Sequence, residues 1–373
     1  MWGVNWRWLG LAAVGLLWPA LSYSTETLDP ANTYAYLIGF VHYNDPGVPL
    51  LDPTNRADIR LKVALKDWGI PEERIALRQD SQAPRATIET SLADFARSIP
   101  SGGNLIVYWT GHGYRFGHEA YLLAYDSIHG QERQTGIPTA EIGDIVRKSM
   151  NGGKVLFLVD TCHAGAFRQV ARGFAPDTGI AAAALTSANL GTTATLAWTF
   201  TDALIDAFRG QAWVDENGDG DITFGELTSY VDDTMRFEAD ELAGGGFSPD
   251  FDPNLVLSSV PKSERVSPLD GFHLGEFVQE KTARRRIGQI VGIDQNQLRL
   301  VFVDGTKGAL PPTSLELPDI PNPYHVGDHL KISGNVATVL KLKLNFIFVH
   351  YDGLSPDKDE WRPIDEVAPP AAQ

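Results

Sequence analysis

Two apolar runs, each followed at once by a short polar motif, constrain the fold of this chain most strongly. Residues 105–109 (LIVYW) precede residues 110–113 (TGHG), and residues 155–159 (VLFLV) precede residues 160–165 (DTCHAG). Runs rich in β-branched and aromatic residues predict buried strands, and a run that is apolar throughout suits a parallel sheet covered on both faces. Ligands of such sheets bind at the carboxyl ends of the strands. We therefore expect the histidine and the cysteine of the two motifs at one edge of a sheet.

The cysteine in the second motif, Cys162, is the only one in the chain, so it cannot form an internal disulfide. A lone cysteine is often a small buried hydrophobe. Cys162 lies after Asp160 and before a turn that contains Gly165, outside the apolar run, which favours a nucleophile instead. His112 at the same edge would complete the cysteine–histidine pair that nucleophilic catalysis needs.

The order of these elements resembles the caspase/metacaspase/legumain group of cysteine peptidases. One apolar strand ends in Gly-His-Gly and a later one in Asp-x-Cys-His-x-Gly, about 50 residues apart as in caspases. Ala164 stands where that group more often has serine. The resemblance spans residues 33–260 in element order and is specific only at the two motifs. It implies a Cys162–His112 dyad and an oxyanion hole formed by the N–H groups of Gly113 and Cys162.

The resemblance also bears on substrate preference. In metacaspase-like enzymes the acid two residues before the cysteine lines the S1 pocket for Arg or Lys, and Asp160 holds that position. Asp58 is the best match, by order, to a second acid. Asp160 could instead cap its strand, and legumain-like relatives that cleave after Asn also carry an acid there. We predict cleavage after Arg or Lys; cleavage after Asp is disfavoured because it needs basic pocket residues.

Periodicity and turn signals before residue 261 predict alternating strands and helices, which indicates an α/β, doubly wound, mostly parallel sheet. The predicted strands are 35–41, 75–77, 105–109, 121–125, 155–159, 181–188 and 254–257, and the predicted helices are 57–68, 87–99, 139–150 and 199–208. Segment 168–177 is predicted to be a loop, and it is the first candidate site for proteolytic activation if the chain is made as a zymogen. Segment 243–252, with three successive glycines, reads as a mobile loop.

Residues 215–226 (DENGDGDITFGE) fit a twelve-residue calcium loop. Its six predicted ligands follow the loop's spacing, and Gly220 permits the sharp turn between them. They are Asp215, Asn217, Asp219, Asp221 through its carbonyl, Thr223 and Glu226. Ile222 suits a short β pairing. A turn between helices that binds no ion can have a similar composition. Calcium loops of this type usually occur in pairs, and the sequence has a single one. No organic cofactor is predicted.

Residues 261–271 read as a linker between a peptidase domain, 25–260, and an all-β region, 272–367. Its predicted strands are 286–293, 297–303, 308–310, 329–332, 337–342 and 345–351, with Asp304-Gly305 as a hairpin turn. The same pattern of short strands closed by an Asp-Gly pair recurs at Asp352-Gly353, which predicts two small barrels or one duplicated barrel. Residues 349–367 resemble Tudor/agenet-type SH3-like barrels, in which aromatic cages bind methylated side chains. By this resemblance, Tyr351 and Trp361 could line such a cage. The simpler interpretation places them in the core or at the rim of a barrel that binds a peptide.

The first 22 residues resemble a secretory signal, with Arg7 before the apolar stretch 8–20 and small residues near Ser22. The stretch is too short to span a bilayer comfortably, so we predict a cleaved signal and export to the periplasm or the extracellular space; an uncleaved anchor is the alternative. A formal net charge of −16 argues against a nucleic-acid partner. Protein or peptide substrates fit best.

Two other functions stay open. One is a catalytically silent, calcium-binding caspase-like scaffold, and the other is a peptide-binding protein that acts through its C-terminal barrels. Truncation before Gly271 separates the second from a peptidase, because a peptidase should retain turnover without the barrels.

Overall fold

The computed structural model describes residues 26–188, 198–239, 241–262, 269–272, 275–293, 296–302, 306–318, 323–332, 334–343, 346–354, 360–364 and 367. The predicted signal segment and the Asp304-Gly305 turn lie outside these residues. Among the helices of the described part, none is both long and apolar enough to cross a bilayer.

Strands and helices alternate through the first part of the chain. They are β1 (Thr33–Gly39), α1 (Ala57–Trp68), β2 (Ile75–Gln79), α2 (Arg85–Ser98), β3 (Asn104–Thr110), β4 (Gly113–Phe116), β5 (Glu119–Leu122), α3 (Glu132–Thr135), β6 (Ile137–Pro138), α4 (Thr139–Ser149), β7 (Gly153–Asp160), α5 (Ala166–Arg172), β8 (Ile180–Thr186), α6 (Thr199–Phe208), β9 (Asp221–Thr223), α7 (Phe224–Ala239), β10 (Gly244–Phe247) and β11 (Val256–Ser259).

Six strands form the central sheet in the order β2-β1-β3-β7-β8-β10, and all are parallel except β10 at the edge. Helices α1, α6 and α7 pack on one face, and α2, α4 and α5 pack on the other. Every residue of β3 is buried, which explains its unbroken apolar run. The predicted fold class, an α/β doubly wound and mostly parallel sheet, is confirmed.

Two small sheets lie outside this sheet. Strands β4, β5 and β6 form an antiparallel sheet directly after His112. Strand β9, within the predicted calcium loop, pairs with β11, where Ile222 faces Ser258. The predicted strand 254–257 therefore begins two residues later than expected and joins β9 instead of the central sheet.

Two predicted loops are regular structure. The prediction of a mobile loop at 243–252 was wrong over Gly244–Phe247, which pairs with β8 as the edge strand β10. A Cβ atom at Gly246 would lie 2.7 Å from the Cβ of Arg168, so glycine lets this strand approach α5. The predicted loop 168–177 was wrong over its first half, because Ala166–Arg172 is helical with Phe167, Val170 and Ala171 buried. An activating cut in this helix would require it to unfold first.

The C-terminal region is all-antiparallel and has two sheets, each with its own apolar cluster. The first contains β12 (Phe277–Glu280), β13 (Ile287–Ile293), β14 (Leu298–Phe302), β15 (Lys307–Leu310) and β16 (Leu315–Glu316), and the second contains β17 (His329–Ile332), β18 (Asn335–Lys343), β19 (Phe346–Tyr351) and β20 (Glu360–Pro363). Two sheets in tandem agree with the recurring sequence pattern. The SH3/Tudor-like assignment stays a prediction.

Candidate active site

The two motifs leave adjacent strands at the same edge of the central sheet. Strands β3 and β7 pair in parallel with Thr110 opposite Asp160, and the Gly111 N–H donates to the Asp160 carbonyl at 3.3 Å. His112 and Cys162 each follow two residues after this last pair. The structure therefore brings together the two residues that the sequence predicts as a dyad.

The loop between β1 and α1 holds His112 in place. The Tyr43 hydroxyl accepts a hydrogen bond from the His112 N–H at 2.8 Å, and its ring stacks on the imidazole with centroids 5.5 Å apart. His112 Nε2 lies 2.8 Å from the Pro49 carbonyl oxygen. Because a carbonyl only accepts, Nε2 carries the ring proton and Nδ1 is left with the lone pair.

The imidazole is neutral at physiological pH in this setting. Partial burial lowers the pKa of His112 below 6.5, and the bond to Pro49 opposes this shift more weakly. The predicted dyad would therefore start with a neutral imidazole, and the Pro49 carbonyl occupies the orienting position that a third side chain takes in a catalytic triad. Sequence reasoning missed this contact, because a backbone carbonyl leaves no side-chain signature.

Glycine is required at position 113 because the backbone there lies very close to the backbone of Cys162. A Cβ atom there would lie 2.1 Å from the Cys162 carbonyl oxygen and 3.0 Å from Thr161 Oγ1. The Leu123 N–H donates to the His112 carbonyl, so Gly113 and Leu122 form a non-hydrogen-bonded pair of the β4–β5 ladder. The Gly113 amide therefore points away from β5, as an oxyanion-hole donor would require.

Substitution of Gly113 by alanine is expected to lower kcat about 10- to 100-fold, because the methyl group must push the Cys162 backbone out of position. Stability should fall by about 1–3 kcal/mol from the same overpacking. Gly173→Ala is a matched control, since the nearest atom to its methyl group would be the Val170 carbonyl oxygen at 3.4 Å, an ordinary contact distance. Equal kinetics for both variants, measured on peptide hydrolysis, would contradict the close approach.

The turn after β7 is strained at His163, the residue that follows Cys162. Cys162 is half-buried, and Thr161 Oγ1 donates to its carbonyl at 3.1 Å. His163 has a left-handed backbone with φ of 60°, which is uncommon for a residue other than glycine. This conformation turns the chain sharply between the end of β7 and α5.

Asp160 lies on the face of the sheet that α6 covers. Asp160 is 8 % exposed. Its carboxylate accepts a hydrogen bond from Thr201 Oγ1 at 3.0 Å, and Thr201 Oγ1 also contacts the Tyr108 hydroxyl at 2.7 Å. Burial raises the pKa of Asp160 to about 6, although Thr201 and the nearby Ser187 hydroxyl oppose the shift. Ser187 Oγ is buried and, within the described residues, has no partner in good hydrogen-bond geometry.

Asp58, in the first turn of α1, lies on the same face against Gly39 at the end of β1. A Cβ atom at Gly39 would be 2.1 Å from its carboxylate. Both Asp58 oxygens accept from Arg56, at 3.1 and 2.8 Å, and one also accepts from Gln79 at 2.8 Å. The side chain of Asp58 is fully buried. Burial, and then the charges of Asp160 and Asp58, raise the pKa of Tyr108, so the two acids flank this tyrosine.

The predicted calcium loop closes on itself through its own polar groups. Asp215 accepts from the amides of Gly218 and Gly220, each at 2.8 Å, and Glu226 accepts from Asn217 and Thr223. All of the predicted metal-ligand atoms are oxygens, which Ca²⁺ prefers. In their present positions, no three acidic, histidine or cysteine side chains of the described residues converge on one point.

Of the two aromatic residues considered for a C-terminal cage, only Tyr351 has a described side chain. Tyr351 is buried in the apolar cluster of the second C-terminal sheet, together with Val339 and Val349. The side chain of Trp361 lies outside the described part. Tyr351 is thus a core residue, the simpler of the two sequence interpretations.

No known protein-family model matches the chain, and no curated protein matches it. Solved structures that it resembles include a protein from Geobacter sulfurreducens, 13% identical, with 61% of this chain and 97% of that chain covered and a TM-score of 0.45. Caspase-1 from Spodoptera frugiperda is 14% identical, with 65% and 94% covered and a TM-score of 0.42. A likeness this distant does not identify a family.

Proposed function

We propose that this chain is a cysteine endopeptidase of caspase/metacaspase type, with Cys162 as nucleophile and His112 as acid–base. The parallel register of β3 and β7 carries the proposal, because it sets the two motif turns side by side. The Pro49 carbonyl on Nε2 adds to it, since it directs the basic Nδ1 of His112 away from that loop.

The chemistry follows from these positions. Cys162 Sγ gives its proton to His112 Nδ1 and attacks the scissile carbonyl carbon. The oxyanion that forms accepts from the Gly113 and Cys162 amides. Collapse of this intermediate breaks the C–N bond while Nδ1–H protonates the leaving amine, which leaves a thioester on Cys162. Water, deprotonated by His112, then hydrolyses the thioester and restores the dyad.

The proposed preference is for Arg at P1, with Lys second. Burial disfavours the charged form of the Asp160 carboxylate and raises its pKa. Acids with strongly shifted pKa values are typical of functional sites. In the part of the chain that the structure describes, the buried Ser187 Oγ beside Asp160 has no partner in good hydrogen-bond geometry, so this oxygen can accept a hydrogen bond. A guanidinium has several N–H donors in a planar fork, so it suits both acceptors better than an ammonium does. Asp58 contributes at longer range, because Arg56 already binds both of its oxygens.

Hydrolysis of fluorogenic peptides that end in Arg, Lys, Asn or Asp tests the proposal directly. Turnover after Arg or Lys that is absent in Cys162→Ala would support both the nucleophile and the acidic pocket. Turnover only after Asn would keep the nucleophile and remove the role of Asp160 in specificity. An inactive chain, even after deliberate cleavage near Arg172, would favour the scaffold function.

We also propose that residues 215–226 bind Ca²⁺ through the predicted oxygen ligands. Calcium at about 100 times its Kd should stabilise the folded chain by about 2.7 kcal/mol relative to chelator, and Glu226→Gln should remove most of this effect. Asp252→Asn, outside the loop, is the control. Thermal unfolding that is identical with Ca²⁺ and with chelator would contradict binding.

A further inference from the structure

Loop 40–56, between β1 and α1, makes three contacts with His112. It contributes the Tyr43 hydroxyl, the stacked Tyr43 ring and the Pro49 carbonyl. Tyr43 is itself buried and stacks on Phe40, with ring centroids 5.3 Å apart. The position of His112 therefore depends on what holds this loop.

One carboxylate fixes the start of the loop. Asp80 Oδ1 accepts from the amides of Val41 and His42, at 2.8 and 3.1 Å. These amides directly precede Tyr43. Asp80 follows β2 and adopts a left-handed backbone, with φ of 45°, which an aspartate tolerates at some strain.

One guanidinium joins that carboxylate to the end of the loop. Arg56 Nη1 lies 2.5 Å from Asp80 Oδ2, and Arg56 Nη2 donates to the Gly39 carbonyl at 2.9 Å. Its remaining bonds go to Asp58, at the start of α1. Arg56 is only 12 % exposed, so water screens these charges weakly. Both ends of the loop thus meet in one partly buried ion cluster.

We infer that Asp80 and Arg56 are positioning residues for His112, which act by holding loop 40–56 so that the Pro49 carbonyl stays on Nε2. The inference rests on the proposed role of His112 in catalysis. Neither residue touches the reacting atoms; they act through Tyr43 and Pro49. No sequence motif pointed to either of them.

Loss of the Asp80–Arg56 contacts to loop 40–56 should change both the pKa and the tautomer of the His112 imidazole. A loosened loop rehydrates His112, and burial is the main reason that its pKa lies below 6.5. The Tyr43 ring of the loop faces the imidazole, and Asp80 and Cys162 both act electrostatically on Tyr43. Without the Pro49 acceptor, the proton is also free to move to Nδ1, the wrong tautomer for a base at that atom.

The test is a pH titration of the ¹⁵N-histidine-labelled full chain by NMR, with His112→Gln to assign the signal. In the parent chain, His112 is expected to titrate below 6.5 as the Nε2–H tautomer. In Asp80→Ala its pKa should rise to about 6.5 and the tautomers should mix. The rate constant kcat should fall about 10- to 100-fold with KM changed less than about threefold.

Asp206→Asn is the matched control, because it alters a partly buried carboxylate that binds Tyr230 and Trp213 away from this loop. It should leave the His112 signal unchanged. Should Asp80→Ala not fold, Asp80→Asn keeps an acceptor for the two amides and weakens only the bond to Arg56, and should shift His112 part of the way. An unchanged His112 pKa and tautomer in a folded Asp80 variant would overturn the inference. The NMR result does not require turnover, so it is distinct from failure of the proposed peptidase activity.

Discussion

Replacement of Cys162 by alanine is expected to abolish peptide hydrolysis, with a loss in kcat of at least about 1,000-fold. The reaction proposed here passes through a thioester on Sγ, and no other cysteine in the chain can substitute for it. The side chain is half-buried and small, so its truncation should change the free energy of unfolding by less than about 1 kcal/mol. Steady-state kinetics and thermal unfolding measure the two effects.

His112→Gln is the companion variant. It should reduce kcat about 100- to 10,000-fold, since it removes the general base and leaves the nucleophile in place. The double variant should be little worse than Cys162→Ala alone, because residues that act as one unit are not additive. Full activity in Cys162→Ala would exclude the thioester mechanism.

Replacement of Asp160 by asparagine should separate stability from specificity. In the proposed pocket the carboxylate binds the P1 guanidinium, and the loss of one partner of such a pair reduces affinity by about 2–5 kcal/mol. We expect kcat/KM for Arg peptides to fall about 100-fold at pH 7.5, with a smaller change for peptides that end in an uncharged residue. In the parent chain, the preference for Arg should also weaken as the pH falls through about 6 and Asp160 becomes protonated.

The same change should stabilise the folded chain at neutral pH. The pKa of Asp160 rises from 3.8 to about 6 on folding, so the folded state binds the extra proton between these values. The parent chain therefore loses stability as the pH rises through this window, by roughly 3 kcal/mol. An asparagine side chain carries no charge and avoids this loss. Asp160→Asn should match the parent near pH 3.5 and be more stable by up to about 3 kcal/mol above pH 6.

Denaturant unfolding at several pH values, together with P1 profiles, checks both effects. Asp206→Asn is again the control, because burial also raises the pKa of Asp206. It should show the gain in stability without the change in P1 preference. A similar loss of Arg selectivity in both variants would mean that Asp160 affects specificity only through α6.

The sequence predicts the framework of the fold well where apolar runs are continuous. Strands β3 and β7 extend their predicted runs by one or two residues at each end, and α6 has its predicted bounds. Gly244–Phe247 was misread because glycines signal flexibility locally, whereas here they allow contact with Arg168, a neighbour distant in sequence. Segment 168–177 failed in a similar way, since α5 is held by burial of Phe167 and Val170 rather than by strong helix signals.

The candidate site was predictable where side-chain identity carries the chemistry. His112 and Cys162 follow β3 and β7, and Asp160 ends β7, so the parallel register of these strands brings all three to one edge. The Pro49 carbonyl was not predictable, because any residue could supply it. The pairing of Asp58 with Arg56 was equally hidden, since ion pairs between neighbouring residues depend on side-chain direction rather than spacing.

The most direct test of the proposed dyad is covalent labelling of the full chain with a peptide whose C-terminal arginine carries a chloromethyl ketone. Intact-mass and peptide mapping report how many labels attach and where. We predict one label, on Cys162, with a labelling rate that falls at least about 100-fold in His112→Gln. Labelling elsewhere, or an equal rate in His112→Gln, would contradict an activated Cys162–His112 dyad.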